Sequence, residues 1–249
     1  MTYAPVNGLQ LYYETHGEGP PLVLLHGGLM TIDLNFGSLL KPLAAGRQVI
    51  AVELQGHGHT ADAARPMTIE ALAADVTALL DLLGLEQADV FGFSLGALVG
   101  WAMALGTPSR VGRLIGASAD PYRPPGRESA PLTEDRLPTQ ADFEAMRDAY
   151  TAVAPEPARF QESAARTSVM VHEFPGWSAA QLSALAVPAL LVFGDRDFSP
   201  LGDVLELYQM LPDAQLAVLP GATHMAVGQR TDDLLALITR FLGFAAVAR

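Results

Sequence analysis

Apolar runs of strand length alternate with helical periodicities along this chain, and that alternation narrows its possible folds more than any other feature. "PPLVLLHGG" (20–28), "RQVIAVELQG" (47–56), "ADVFGF" (88–93), "VGRLIGAS" (111–118), "VPALLVFGDRD" (187–197) and "AQLAVLPGATH" (214–224) read as strands, and several are apolar throughout. A strand without polar alternation is buried on both faces, which is the property of a parallel sheet covered by helices. "LQLYYETHG" (9–17) alternates apolar and polar residues, as a half-exposed strand does. Between the strands lie helical patterns. The clearest is 68–84, where Ile69, Leu72, Val76, Leu79 and Leu83 share one face, Thr68 caps the start and Gly84 ends the helix. Further helices are expected over 32–44, 95–105, 140–152, 156–170 and 201–211, with a closing helix to about Phe244.

After Ser118 the texture changes. "ADPYRPPGRESAPLTEDRLPTQ" (119–140) is rich in proline and charge and contains no core strand. The expected architecture is α/β: a mostly parallel, doubly wound, eight-stranded sheet with helices on both faces. Residues 1–119 and 181–249 form its core, and 120–180 form a small helical cap over one end. Seven strands can be named individually from the pattern. Ligands of open α/β sheets bind at the C-terminal strand ends.

Composition excludes several function classes. Lys and Arg number 15 against 27 Asp and Glu, a formal net charge of −12, which repels phosphate backbones and anionic membranes. No nucleic-acid or membrane partner is expected. Cysteine is absent, so disulfides, thiolate metal sites and a cysteine nucleophile are excluded. The N-terminal stretch carries no basic residue before Lys41 and no long apolar segment, so a cytoplasmic protein is expected.

The stretch "ADVFGFSLGALVG" (88–100) places Ser94 between Gly92 and Gly96, where a buried strand turns into a helix. Such a turn strains the backbone at the serine and crowds the neighbouring chain. Glycines two residues before and after relieve the crowding and leave the hydroxyl exposed. A serine hydroxyl needs a base to become a nucleophile. Of six histidines, only His224 lies just past the last strand. The imidazole needs a carboxylate to hold its tautomer. Asp195 and Asp197 both follow the penultimate strand. Asp197 is further past the strand end and better able to reach the histidine, whereas Asp195 suits the turn itself.

These residues give the chain a resemblance to the α/β-hydrolase superfamily over nearly its whole length. The order Ser94, Asp197, His224 resembles the family's catalytic triad, and Gly194 to Asp197 matches its acid-bearing stretch. "HGG" at His26–Gly28 resembles its oxyanion loop. The resemblance therefore implies Gly28 and Leu95 as backbone donors to an oxyanion, and His26 as a structural partner of the loop. "LQGHGHT" (54–60) resembles the glycine-rich loop after the fourth strand, with Glu53 and Gln55 where the family often has Asp and Arg. More narrowly, the spacing resembles the cofactor-free esterase and perhydrolase branch.

The expected activity is hydrolysis of a carboxylic ester or lactone through an acyl-enzyme, with no cofactor and no metal. His57-x-His59 with Glu53 lacks a second ligand cluster. The partner is a small ester-like molecule, and the protein is expected to be a monomer or homodimer. Phe143, Met146, Tyr150 and Trp177 are candidate walls of a neutral, apolar acyl pocket, and Arg123, Arg127 and Arg136 are alternative readers of a carboxylate. Competing readings are a cofactor-free oxygenase or lyase, a C–C bond hydrolase, and a non-catalytic ligand-binding homologue.

Overall fold

The computed structural model describes residues 2–124, 126 and 132–245. Its strands are β1 (Thr2–Val6), β2 (Leu9–His16), β3 (Pro21–Leu25), β4 (Gln48–Val52), β5 (Ala88–Phe93), β6 (Val111–Ala117), β7 (Ala189–Arg196) and β8 (Ala214–Thr223). They form one eight-stranded sheet in the order β1-β2-β4-β3-β5-β6-β7-β8. β2 runs antiparallel to both β1 and β4, and the other pairings are parallel. The helices are α1 (Ile32–Ala44), α2 (Ile69–Leu82), α3 (Leu95–Gly106), α4 (Gln140–Val153), α5 (Phe160–Glu173), α6 (Ala179–Ser183), α7 (Leu201–Met210), α8 (His224–Gln229) and α9 (Thr231–Leu242).

The core follows from strand alternation. On β3, Val23 and Leu25 point to the face covered by α2, α3 and α7, where Leu72, Val76, Trp101, Val204 and Leu207 are buried. Leu22 and Leu24 point to the opposite face, against Phe36 and Leu39 of α1 and Leu234 and Ile238 of α9. Every central strand is thus apolar on both sides, which is why its sequence reads as an unbroken run. β1 escapes such a reading. It is an edge strand with only Ala4 and Val6 buried, and the rest of its residues are exposed.

Two helical expectations change in detail. α5 starts at Phe160 because a short 3-10 turn at Pro157–Arg159 precedes it. The closing helix is broken at Arg230, whose backbone (φ −81, ψ 66) separates α8 from α9. Between β6 and β7 the chain leaves the sheet. α4 and α5 lie there, and a single backbone bridge joins Tyr122 to Trp177. α5 is tied down to the sheet's own loops: Ser163 Oγ donates to Gly56 O, Arg166 pairs with Asp62, and Arg166 Nη2 donates to Arg65 O at 3.0 Å. Among the described residues, no helix is long and apolar enough to cross a membrane.

Candidate functional site

Ser94 sits on the turn from β5 into α3 with φ 52 and ψ −115, a conformation L-residues rarely adopt. The turn is held because Ser94 N–H donates to Ala117 O at 2.8 Å. Its glycines are required by contact. A Cβ on Gly92 would lie 2.3 Å from Gly96 O, and one on Gly96 would lie 1.9 Å from Leu25 O. The strain leaves the Ser94 side chain half-buried at the rim of a cavity of about 600 Å³.

His224, the first residue of α8, reaches this rim from the end of β8. Its Nε2 is 3.0 Å from Ser94 Oγ, and its Nδ1 is 2.8 Å from Asp197 Oδ1. β7 and β8 approach closely enough for this because residue 194 is glycine: a Cβ there would meet Ala222 O at 1.9 Å. The histidine bonds to Asp197 and not to Asp195. Asp195 turns one carboxylate oxygen into the protein, where no described residue bonds to it.

Asp197 is 1% exposed and surrounded by donors. Oδ1 also accepts from Phe198 N–H at 2.7 Å, and Oδ2 accepts from Ser118 Oγ–H at 2.6 Å. Burial alone raises the carboxyl pKa. The His224 ring, the Ser118 hydroxyl and the Phe198 amide outweigh it and hold Asp197 below the usual carboxylate range.

Two contributors were not legible in the sequence. Ser118 ends β6 in the left-handed region (φ 57), and that backbone aims its hydroxyl at Asp197. A serine at a strand end carries no signal for this. Phe198 stacks flat on His224, with ring centroids 3.9 Å apart at 8°, while Phe93 approaches the same ring at 5.3 Å. The imidazole is thereby held by contacts that depend on three separate strands.

The loop after β3 is equally constrained. Met30 N–H closes a turn on Gly27 O at 3.2 Å, Leu29 takes φ 64, and Gly27 N–H is engaged by Asn35 Oδ1 at 2.9 Å. Gly28 is half-buried beneath α5, and Leu95, at the start of α3, opens onto the cavity. His26 is fully buried. Its Nδ1–H donates to Gly27 O at 2.8 Å, and Nε2 accepts from Leu54 N–H at 3.1 Å. Glu53 ties the start of α1 to the loop after β4, accepting from Ile32 N–H at 3.1 Å and facing His59 Nδ1 at 2.8 Å. Among the described residues, no group of three His, Cys, Asp or Glu side chains is arranged to hold a metal ion.

Burial, joined by the neighbouring His57, pushes the His26 pKa down from 6.5 to about 3, and burial lowers His57 in the same direction. Unfolding exposes both rings, which then bind protons below pH 6.5. Their contribution to stability is full above about pH 6.5 and is lost as pH falls toward the folded values. Urea titrations should therefore show stability dropping between pH 6.5 and 5, where exposed carboxylates are still ionised. A flat profile across that interval would contradict the buried, neutral state of the pair.

Phe143, Met146, Tyr150 and Trp177, named from sequence as pocket walls, do not line the cavity beside Ser94. Phe143 is exposed, Met146 and Tyr150 pack inward with Phe160, and Trp177 stacks edge-on against Phe174 at 4.7 Å. Of the helical stripe on α4, Met146 and Tyr150 are buried in the protein interior and Phe143 is not. The wall beside Ser94 is instead built from Leu98, Val171, Phe198 and Leu132, with Arg123 and His172 among its polar members. The pocket is thus more polar than expected. Arg123 donates to Val171 O at 2.9 Å and Phe174 O at 2.8 Å, so part of its guanidinium caps the end of α5. Arg127 lies outside the described residues.

The chain is 29% identical to 2-hydroxy-6-oxononadienedioate/2-hydroxy-6-oxononatrienedioate hydrolase 2 of Pseudomonas putida, over 94% of this chain and 92% of that protein. It is 27% identical to the pimeloyl-(acyl-carrier protein) methyl ester esterase of Nitrosospira multiformis, over 94% of this chain and 98% of that protein. The structure of the enol-lactonase from Burkholderia xenovorans LB400 superposes with a TM-score of 0.75 at 23% identity, covering 97% of this chain and 99% of that one. The family model described as the alpha/beta hydrolase fold matches residues 20–167, more than half of the sequence, and the chain belongs to that family.

Proposed function

We propose that this protein is a serine hydrolase that cleaves a carboxylic ester or lactone through an acyl-enzyme. The observation that carries this reading is the contact between Ser94 Oγ and His224 Nε2 at 3.0 Å, with Asp197 behind the ring at 2.8 Å. Hydroxyl, imidazole and carboxylate follow the ends of three different strands, β5, β8 and β7, and are in line for proton transfer. His224 takes the Ser94 proton as Oγ attacks the carbonyl carbon, and the C–O bond to the alcohol breaks as His224 returns that proton to the leaving oxygen. Water then enters and repeats the sequence, releasing the acid. Asp197 stabilises the imidazolium formed at each stage.

The oxyanion is bound by the backbone N–H groups of Gly28 and Leu95, each worth about 3–4 kcal/mol in such a role. Leu95 N–H belongs to the first turn of α3, where amides have no partner within the helix, and the Gly27 amide is already engaged by Asn35. No step requires a metal or an organic cofactor. The segment 120–180 acts as a cap that sets substrate choice.

A fluorophosphonate probe tests the reading. It should attach once, on the peptide containing Ser94, and turnover of p-nitrophenyl acetate should fall in proportion to labelling. A protein that neither labels at Ser94 nor turns over simple esters would overturn it. Hydrolysis of a C–C bond next to a carbonyl is the second reading, motivated by the likeness to the Pseudomonas putida hydrolase. It predicts turnover of a vinylogous 1,5-diketone that exceeds turnover of every ester offered.

A further inference from the structure

Phe198 lies flat against the His224 imidazole, with ring centroids 3.9 Å apart and planes 8° from parallel. Neutral aromatic pairs commonly meet edge-on or offset, at about 4.5–7 Å. Pairs of this chain such as Phe36–Phe91, at 5.5 Å and 59°, and Phe174–Trp177, at 4.7 Å and 65°, follow that habit. The buried pair His26 and His57 is tilted too, by 48° at 5.0 Å. Among the described residues, flat stacks fall on two imidazoles. One is His224, whose Nδ1 faces Asp197 Oδ1 at 2.8 Å. The other is His59, which lies 4.0 Å from the Tyr12 ring at 21° and whose Nδ1 faces Glu53 Oε2 at 2.8 Å. Flat contact thus accompanies a carboxylate on the imidazole. It is the arrangement that suits a ring carrying positive charge, because a cation within about 6 Å of an aromatic face is drawn to its negative quadrupole.

An acyl-enzyme reaction creates such a charge. Each proton transfer from Ser94 or from water turns His224 into an imidazolium. Its side chain is 7% exposed, so water reaches little of it, and a charge formed there needs compensation from the protein. Asp197 supplies compensation at one edge of the ring. The same carboxylate also serves the Phe198 amide and the Ser118 hydroxyl, so its charge is shared among three donors. The face of the imidazole is where Phe198 acts. This residue follows Asp197 directly, its N–H held by Oδ1 at 2.7 Å, and Pro200 leads the chain on into α7. One residue therefore serves both partners, with its amide on the carboxylate and its ring on the imidazole. Both contacts are already made before substrate enters, which is the condition under which a fixed group stabilises a developing charge well.

We propose that Phe198 is a positioning residue whose ring face stabilises the imidazolium form of His224 during proton transfer. The inference rests on the acyl-enzyme reading. Fluorine draws electron density from the face of a phenyl ring and nearly keeps its shape. Replacing Phe198 in turn by mono-, di- and trifluorophenylalanine therefore weakens the contact stepwise. On p-nitrophenyl acetate kcat should fall at every step, by about three- to ten-fold over the series, with KM within about two-fold of the parent and Tm unchanged. A ring that only packs against the histidine would give no such gradient. Phe198→Leu, which removes the face altogether, should lower kcat by about three- to thirty-fold, whereas Phe198→Tyr should keep most of the rate. A fluorinated series whose kcat stays within about two-fold of the parent would overturn the assignment, and so would a rate that falls only in step with stability. Should the Leu protein not fold, the fluorinated series decides alone. Fluorophosphonate labelling of the parent separates the two levels. A parent that labels at Ser94 beside a flat fluorinated series removes only the role of Phe198, whereas a parent that neither labels nor hydrolyses removes the acyl-enzyme and that role with it.

Discussion

Ser94→Ala should lose hydrolysis of a short p-nitrophenyl ester by a factor on the order of a thousand or more while remaining folded. The substitution deletes one hydroxyl at a half-exposed position and leaves the turn to its glycines. Asp197→Asn should lose about as much, on the order of a thousand- to ten-thousand-fold. An amide cannot replace this carboxylate in either orientation. One oxygen receives His224 Nδ1 and Phe198 N–H, and the other receives the Ser118 hydroxyl. Turned one way, its NH2 group faces His224 Nδ1 and Phe198 N–H and takes away the acceptor that fixes the His224 tautomer; turned the other way, the oxygen keeps those contacts but carries no charge to stabilise an imidazolium. Asp195→Asn touches none of these contacts and should stay within a few-fold of the parent. Steady-state kinetics on the three variants with matched circular dichroism decides it. A greater loss in the Asp195 variant would reassign the acid.

Gly96→Ala should fail to fold or lose more than about 4 kcal/mol of stability. The added methyl would lie 1.9 Å from Leu25 O and 2.8 Å from His26 O. Both atoms are backbone, at the end of a central strand, and His26 is clamped between Gly27 O and Leu54 N–H. No side chain is available to give way. Gly106, on the same helix, has nothing within 4 Å of its Cβ position, and Gly106→Ala should be neutral or slightly stabilising. Denaturant curves for the pair separate close approach from helix propensity. A Gly96→Ala protein as stable as the parent would refute the contact.

The sheet was legible because burial on both faces writes itself into each central strand as an unbroken apolar run, as in "PPLVLLHGG". The turn at Ser94 was legible for a similar reason, since close backbone approach admits only glycine at 92 and 96. β1 was not, because an edge strand with two inward residues has too little pattern. The pocket wall was not legible, because a stripe such as Phe143, Met146 and Tyr150 fixes a helical face but not what that face meets. Ser118 and Phe198 owe their roles to a left-handed backbone and a ring stack between different strands. Neither leaves a local trace in the residues around it.

The hydroxyl is carried by a strand deep in the middle of the sheet, whereas the imidazole and carboxylate hang from its last two strands. Outer strands loosen before inner ones when a protein breathes. A partial detachment on that side would strand an intact serine without the imidazole and carboxylate that now face it. Under the proposed mechanism, hydrolysis then reports the health of one flank of the molecule, and would fade while most of the backbone is still ordered.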